Sequence, residues 1–340
     1  MNLWRLLALA LPAIESGLAL VSTPGLTPAL ALAAALHTGA ASSQTYPSRP
    51  VRIVVPFAAG GDLDTLVRFL GARVTDGLGQ PVIVENRTGA GGNIGADAVA
   101  KAAPDGYTIL IGSATTQAAA ASLLKSIPYD PVKDFAPIAR LGHIAQVLVV
   151  KADSPYKDVA GLVAAARAQP GKLNYGQGSS GNLLPAATLV KRLGLDVARV
   201  NYRSPPQAMA EVLSGQVQFM FIDLSAALGQ IRAGTLRPLA VSSAGPSALL
   251  PGVPPIGDTL KGFELLTWFA MYAPAGTSAA VVDSLTAATR KALAIPAVAA
   301  KLADMGFEMY ASTPAELAAF TAAEVAKWRA LVAETGIEQE

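Results

Sequence analysis

Residues 51–70, VRIVVPFAAGGDLDTLVRFL, constrain what this chain can fold into more than any other stretch. Val51–Val55 is a β-branched run of strand type. Pro56 ends it, because proline has no N–H to give a sheet ladder. Ala58, Ala59, Gly60 and Gly61 follow, and then Leu63, Leu66, Val67 and Leu70 recur at helical spacing. The reading is strand, small-residue loop, helix. Gly60 and Gly61 permit a tight turn and leave no side chain over the loop. The first N–H groups of the helix point out of its start unpaired. With the helix dipole they form an anion pocket, and Asp62 or Asp64 is placed to cap the helix. The same residues also suit a βα turn of any α/β protein.

The pattern then repeats. Val82–Glu85 and Tyr107–Ile111 read as strands, with a glycine-rich loop at Asn86–Asn93 and a helix over Ile94–Ala102 between them. Ser113, Thr115 and Thr116 stand just past a strand end, where an open α/β sheet meets its ligand. Pro128–Pro137 reads as irregular. From Ala145 strand, small polar loop and helix recur through Val241, then an aromatic strand over Phe263–Tyr272. Helices over Val281–Leu293, Ala297–Met305 and 314–333 finish the chain, the last opened by a capping box from Thr313 to Glu316. Two α/β units and a helical tail imply two lobes around a cleft.

Composition narrows the chemistry. Of 340 residues 52% are hydrophobic and 15% charged, enough apolar material for a large core. Part of it belongs to residues 1–43, where Arg5 precedes long apolar runs and the small residues Thr38–Ala41. That is the layout of a secretory signal cleaved near Ala40 or Ala41, and Glu15, Pro24 and Pro28 spoil a spanning helix. There is no cysteine, which excludes disulfides, thiolate metal sites and a cysteine nucleophile. Of the two histidines, His37 lies in the leader, and His143 alone cannot build a multi-histidine zinc site. A net charge of +2 with no basic run gives no reason to expect a nucleic-acid partner. Gly176, Gly178 and Gly181 satisfy G-x-G-x-x-G, the dinucleotide fingerprint. The strand before them is short, however, Pro185 falls early in the next helix, and Asp196 precedes the following strand instead of ending it.

Many segments in order resemble one family. Tyr46–Phe57 with Gly60, Gly61 and Asp64, then Gly79–Val82, Val84–Arg87, Gly89–Gly95 and Ala103–Thr108, resemble the tripartite tricarboxylate transporter substrate-binding proteins, the Bug-type receptors. Pro128–Phe135, Pro170–Tyr175, Ala233–Arg237, Trp268–Phe269 and Ala273–Thr277 extend the resemblance to the C-terminus. It implies an α/β chain with the type II periplasmic-binding-protein fold, crossing between lobes near Gly142–Val150 and Leu265–Tyr272. The lobes are then 46–145 plus 270–340, and 146–269. It also implies a periplasmic receptor without catalysis or cofactor, a monomer that holds a small organic acid and delivers it to membrane permease subunits.

By the same resemblance the ligand is held at Phe57, Ala58, Ala59, Gly60, Gly61 and Asp64, and at Ser113, Thr115, Thr116 and Gln117. From the other lobe come Ser179, Ser180, Gly181, Asn182, Tyr202, Arg203 and Asp223. Asp64 organises the first loop, and Arg203 is the candidate charge partner for a carboxylate. This chain has Gln117–Ala121 where the family usually has a His-Ala-x-Asn-Pro-like run, and Ala58 and Ala59 where proline is frequent. Those changes favour a less polar or bulkier ligand than citrate. The alternatives are a nucleotide-dependent oxidoreductase using Gly176–Gly181, a hydrolase using His143, and a periplasmic sensor that presents its ligand to a signalling partner.

Overall fold

The computed structural model describes residues 46–339, so the leader expected over residues 1–43 lies outside it. β1 (Val51–Val55) lies between two parallel strands, β2 (Val82–Asn86) and β3 (Thr108–Ser113), with Ile53 opposite Val84 and Ile109. Alternation sends Val51, Ile53 and Val55 into one hydrophobic core and Val54 into the other. Both faces are buried, as a parallel sheet requires. α1 (Asp62–Leu78) covers one face with Leu63, Leu66, Val67, Leu70 and Val74. α2 (Asn93–Ala100) covers the other with Ala96 and Val99.

After β3 the chain makes a π-type turn over Thr115–Ala119 that runs into the short α3 (Ala120–Leu123). β4 (Phe135–Lys151) follows and is the spine of the molecule. It is longer than the sequence suggests, since the stretch read as irregular through Pro137 contributes its first residues. Register shifts at Pro137/Ala139 and Arg140/Gly142 absorb the proline, which has no N–H to donate. Up to Ala145 this strand pairs with β9 (Leu266–Pro274). From Gln146 onward it pairs instead with β7 (Phe219–Asp223) and, from Val147, with β8 (Leu236–Val241). β5 (Asn174–Gln177) lies parallel to β7 and to β6 (Ala198–Asn201). Among the described residues this makes a ten-stranded sheet, β2-β1-β3-β9-β4-β7-β5-β6, with β8 and β10 (Phe307–Met309) also on β4. β4 pairs with strands of both halves of this sheet.

α4 (Val159–Ala168), α5 (Ser180–Arg192), α6 (Pro205–Ser214) and α7 (Leu224–Arg232) flank the second half. α8 (Ala279–Leu293) returns to α1, touching Gly77, where an added Cβ would lie 3.0 Å from that of Ala288. α9 (Pro296–Asp304) leads into β10, a strand the sequence does not announce. α10 (Pro314–Thr335) opens with the expected capping box: Thr313 Oγ1 accepts from the Glu316 N–H, and Glu316 Oε2 accepts from the Thr313 N–H. It clamps β9 through Trp268 Nε1 donating to Glu324 (2.9 Å) and Tyr272 paired with Thr321 (2.7 Å). At its far end Glu334 accepts two hydrogen bonds from Arg192 of α5, so one helix bridges both halves of the sheet. No helix among the described residues is long and apolar enough to cross a membrane.

Candidate functional site

The loop after β1 is held by one carboxylate. Asp64 is only 4% exposed. Its Oδ2 accepts from the Gly60 N–H (2.9 Å) and from Arg68 Nε (3.0 Å), and its Oδ1 from Asn86 Nδ2 (2.8 Å). The same Asn86 amide donates to Phe57 O (3.1 Å), and Arg68 donates to Asn86 Oδ1 (2.7 Å). The residue before the helix is Gly61, which has no side chain to cap with. Asp64, in the first turn, bonds the loop instead of capping helical N–H groups; the alternative on Asp62 lies outside the described side chains.

That carboxylate is strongly acidic. The Arg68 guanidinium, then the Gly60 and Asn86 donors, outweigh burial and hold Asp64 at about 2. An unfolded aspartate titrates near 3.9, so Asp64 favours the folded state at every pH above about 4. This contribution is lost as the pH falls from about 4 to about 2. Urea melts at pH 5, 3 and 2 should show the loss, and Asp64→Asn should remove that acid limb.

A cavity of about 630 Å³ opens beside this loop. Its walls come from both halves of the sheet, just past the C-terminal ends of parallel strands: Phe57 after β1, Asn93 beyond β2, Thr115 after β3, Gln177–Ser180 at β5 and Asn201–Tyr202 at β6. Ala90 and Gly91 line it within a run, Gly89–Gly92, in which every φ is positive, and Ala90 (φ 47) is the one non-glycine residue so placed among those described. A left-handed alanine stores strain, here at a cavity wall.

Phe57, Thr115, Ser179, Ser180 and Tyr202, of the residues expected at the site, line this cavity. The others stand elsewhere. Ala58, Ala59, Gly60 and Gly61 are exposed on the outer part of the first loop. Ser113 and Thr116 bond one another in a buried turn, the Ser113 N–H to Thr116 Oγ1 at 3.1 Å. Gln117 is wholly buried, with Nε2 3.5 Å from Pro131 O. Asn182 accepts from Ser179 Oγ (2.9 Å), and Arg203 is exposed outside the lining. The sequence reading passed over Asn86 and Arg68, although Asp64 and Arg68 are four apart on a helix. It also passed over Leu123, Leu183, Ile337 and Glu338, which line the cavity from distant parts of the chain.

Gly181 and Asp223 belong to a knot at the crossover. Pro185 lies inside α5 and cannot donate to the carbonyl four residues back, which is Gly181 O. Gln146 Nε2 supplies the missing donor at 2.8 Å and lies 3.3 Å from Thr267 Oγ1, which donates to Asp223 (2.7 Å). Side chains of β4 and β9 thus tie down the loop that carries Ser179 and Ser180. Gln146→Leu leaves Gly181 O without that donor. The expected cost is about 1–3 kcal/mol of stability, read from a denaturant melt, with weaker ligand binding.

Close approach bears on two glycines of the fingerprint, Gly178 and Gly181. A Cβ on Gly178 would lie 2.1 Å from Ser204 C, and one on Gly181 would lie 3.2 Å from Gln146 Nε2. His143 is mostly buried in β4, its Nε2 3.3 Å from Glu308 and its Nδ1 3.4 Å from Arg140. Desolvation lowers its pKa. No group of three His, Asp or Glu side chains among the described residues is placed to hold a metal.

The sequence profile of the tripartite tricarboxylate transporter family receptor matches residues 66–337. Protein BugT of Bordetella pertussis is 36% identical over 299 residues, 87% of this chain and 92% of its own. Among solved structures, periplasmic binding protein BugD superposes with a TM-score of 0.75 at 33% identity, covering 87% of this chain and 100% of BugD. R. palustris Rpa4515 with adipate gives 0.78 at 32% identity, with 87% and 100% coverage. This chain belongs to the tripartite tricarboxylate transporter receptor family, and it is a solute-binding receptor, not an enzyme.

Proposed function

We propose that the protein is exported to the periplasm, captures a small organic acid between its lobes as a monomer, and hands it to the membrane permease subunits of a tripartite tricarboxylate-type transporter. The cavity carries this reading, because loops from both halves of the sheet meet around it. The adipate in the similar Rpa4515 structure supports a carboxylate as the ligand. The lobes are residues 46–145 with 270–340, and residues 146–269. Closure is a hinge rotation at Ala145–Gln146 of β4 and at the start of β9, and ligand favours the closed form. In that form the loops Phe57–Gly61, Ser113–Gln117 and Ser179–Asn182, with Tyr202, Arg203 and Asp223, converge on the ligand, and Asp64 keeps the first loop in place.

Mass spectrometry of the small molecule that co-purifies, with a thermal-shift screen of carboxylates, amino acids and nicotinamide compounds, tests the proposal. An acid that both co-purifies and raises the melting temperature supports it, since a ligand bound only to the native state stabilises that state. A nicotinamide compound that does so in place of any acid overturns it.

A further inference from the structure

The stretch Pro128–Pro137, irregular by sequence, carries a buried phenol that the receptor reading does not use. Tyr129 is 5% exposed, packs edge-on against Phe135 (5.7 Å between ring centroids) and does not line the cavity. Two carboxylates fix the backbone around it. Asp134 Oδ2 accepts from the Asp130 N–H (2.7 Å), and Asp130 Oδ1 accepts from the Val132 and Lys133 N–H groups (2.9 and 3.0 Å).

The Tyr129 hydroxyl lies 2.6 Å from Asn93 Oδ1 and 2.7 Å from Thr116 O, both of them acceptors. Asn93 turns Oδ1 to the phenol because its Nδ2 donates to Ala90 O (2.7 Å). One hydroxyl, with one proton, thus joins two loops. It reaches the loop after β2 through Asn93 and Ala90, and the loop after β3 through Thr116. Burial, and then Asp97, push the phenol pKa up, so the group stays protonated.

Both loops are walls of the cavity, Ala90, Gly91 and Asn93 from one and Thr115 from the other. They also touch. A Cβ on Gly92 would lie 2.9 Å from Thr116 Cγ2 and 3.4 Å from Phe57 Cζ, so the loop after β1 packs at the same point. The left-handed run Gly89–Gly92 is strained at Ala90, and such backbone persists only where its surroundings over-determine it. Asn93 holds Ala90 O twice, with its main-chain N–H and its side-chain amide, and Tyr129 holds Asn93.

We infer that Tyr129 is a positioning residue for ligand binding: from outside the cavity its hydroxyl sets the spacing of the loops after β2 and β3, and with it the shape of the wall that meets the ligand. The inference rests on the reading of this cavity as the ligand site and gives a part in it to a residue that does not line it.

Tyr129→Phe removes the oxygen and keeps the ring on Phe135. Tyr46→Phe is the control, because its hydroxyl also bonds a main-chain carbonyl, Gly106 O at 2.6 Å, but before β3, at the end of that strand away from the cavity. Native-state hydrogen exchange and isothermal titration with adipate, malate and citrate test the inference. Exchange over Gly89–Asn93 and Ser113–Gln117 should quicken about tenfold in Tyr129→Phe and keep the wild-type rate in Tyr46→Phe. Asn93→Ala cuts the same chain of bonds but spares the bond from Tyr129 to Thr116, and should quicken the first loop alone. Affinity for whichever acid binds the wild type should fall about tenfold in Tyr129→Phe and less than about twofold in Tyr46→Phe. Wild-type exchange in either loop of Tyr129→Phe, quickening spread evenly over the chain, or equal affinity losses in the two tyrosine variants overturns the inference and leaves the receptor reading intact. Folded wild-type protein that binds none of the acids counts against the receptor reading instead, and the exchange pattern still decides whether Tyr129 couples the loops.

Discussion

Asp64→Ala is expected to lower the melting temperature by roughly 6 °C and to weaken ligand binding at least about tenfold. The carboxylate is 4% exposed and accepts from Gly60, Arg68 and Asn86. Removing it strands these donors, a loss of about 3 kcal/mol. The binding loss has a separate cause. The Asn86 amide that holds Phe57 O is fixed from its other side by Asp64, so the cavity wall at Phe57 loosens with it. Asp64→Asn separates shape from charge. It fills the same space, yet it loses the ion pair to Arg68 and should fall between wild type and Asp64→Ala. Wild-type melting and affinity in the alanine variant would remove Asp64 as the organiser of the loop.

Gly178→Ala should be nearly as damaging for a purely steric reason. The added methyl would lie 2.1 Å from Ser204 C and 2.4 Å from both Pro205 N and Ser204 O. These are backbone atoms, which cannot rotate out of the way as a side chain can. Either the Gly178–Ser180 loop or the Asn201–Pro205 segment must move, and both line the cavity. The expected cost is about 2–3 kcal/mol, with affinity down tenfold or more. Gly176→Ala is the control, because its nearest neighbour is a Val217 side-chain atom at 3.3 Å. Titration calorimetry and thermal melts on the two variants check the contrast, and equal effects would show that the meeting of the two loops is not what Gly178 protects.

Local chemistry was readable where it acts alone. The β-branched run of β1, the helical spacing of α1 and the Thr313–Glu316 box each follow from neighbouring residues, and each stands where expected. The failures are places where a distant partner decides. Pro137 reads as a breaker, yet a register shift against β9 accommodates it inside β4. Phe307–Met309 is a strand because β4 offers it an edge. Pro185 stands inside α5, and Gln146 from the crossover repairs the carbonyl that Pro185 leaves open. The site follows the same division. Phe57 and Ser179 were legible from strand-end loops, whereas Ile337 and Glu338 reach the cavity only through the fold of the C-terminal helix.

The position of β9 also bears on the order in which the molecule can be made. β9 begins at Leu266 but lies between β3, which ends at Ser113, and β4. The central sheet of the first half therefore closes only after the whole second half has been synthesised. Pairings of such long sequence separation slow folding. A nascent chain that stops short of Leu266 presents β3 with an open edge and no native partner. The native sheet of the first half is therefore complete only once most of the chain is available.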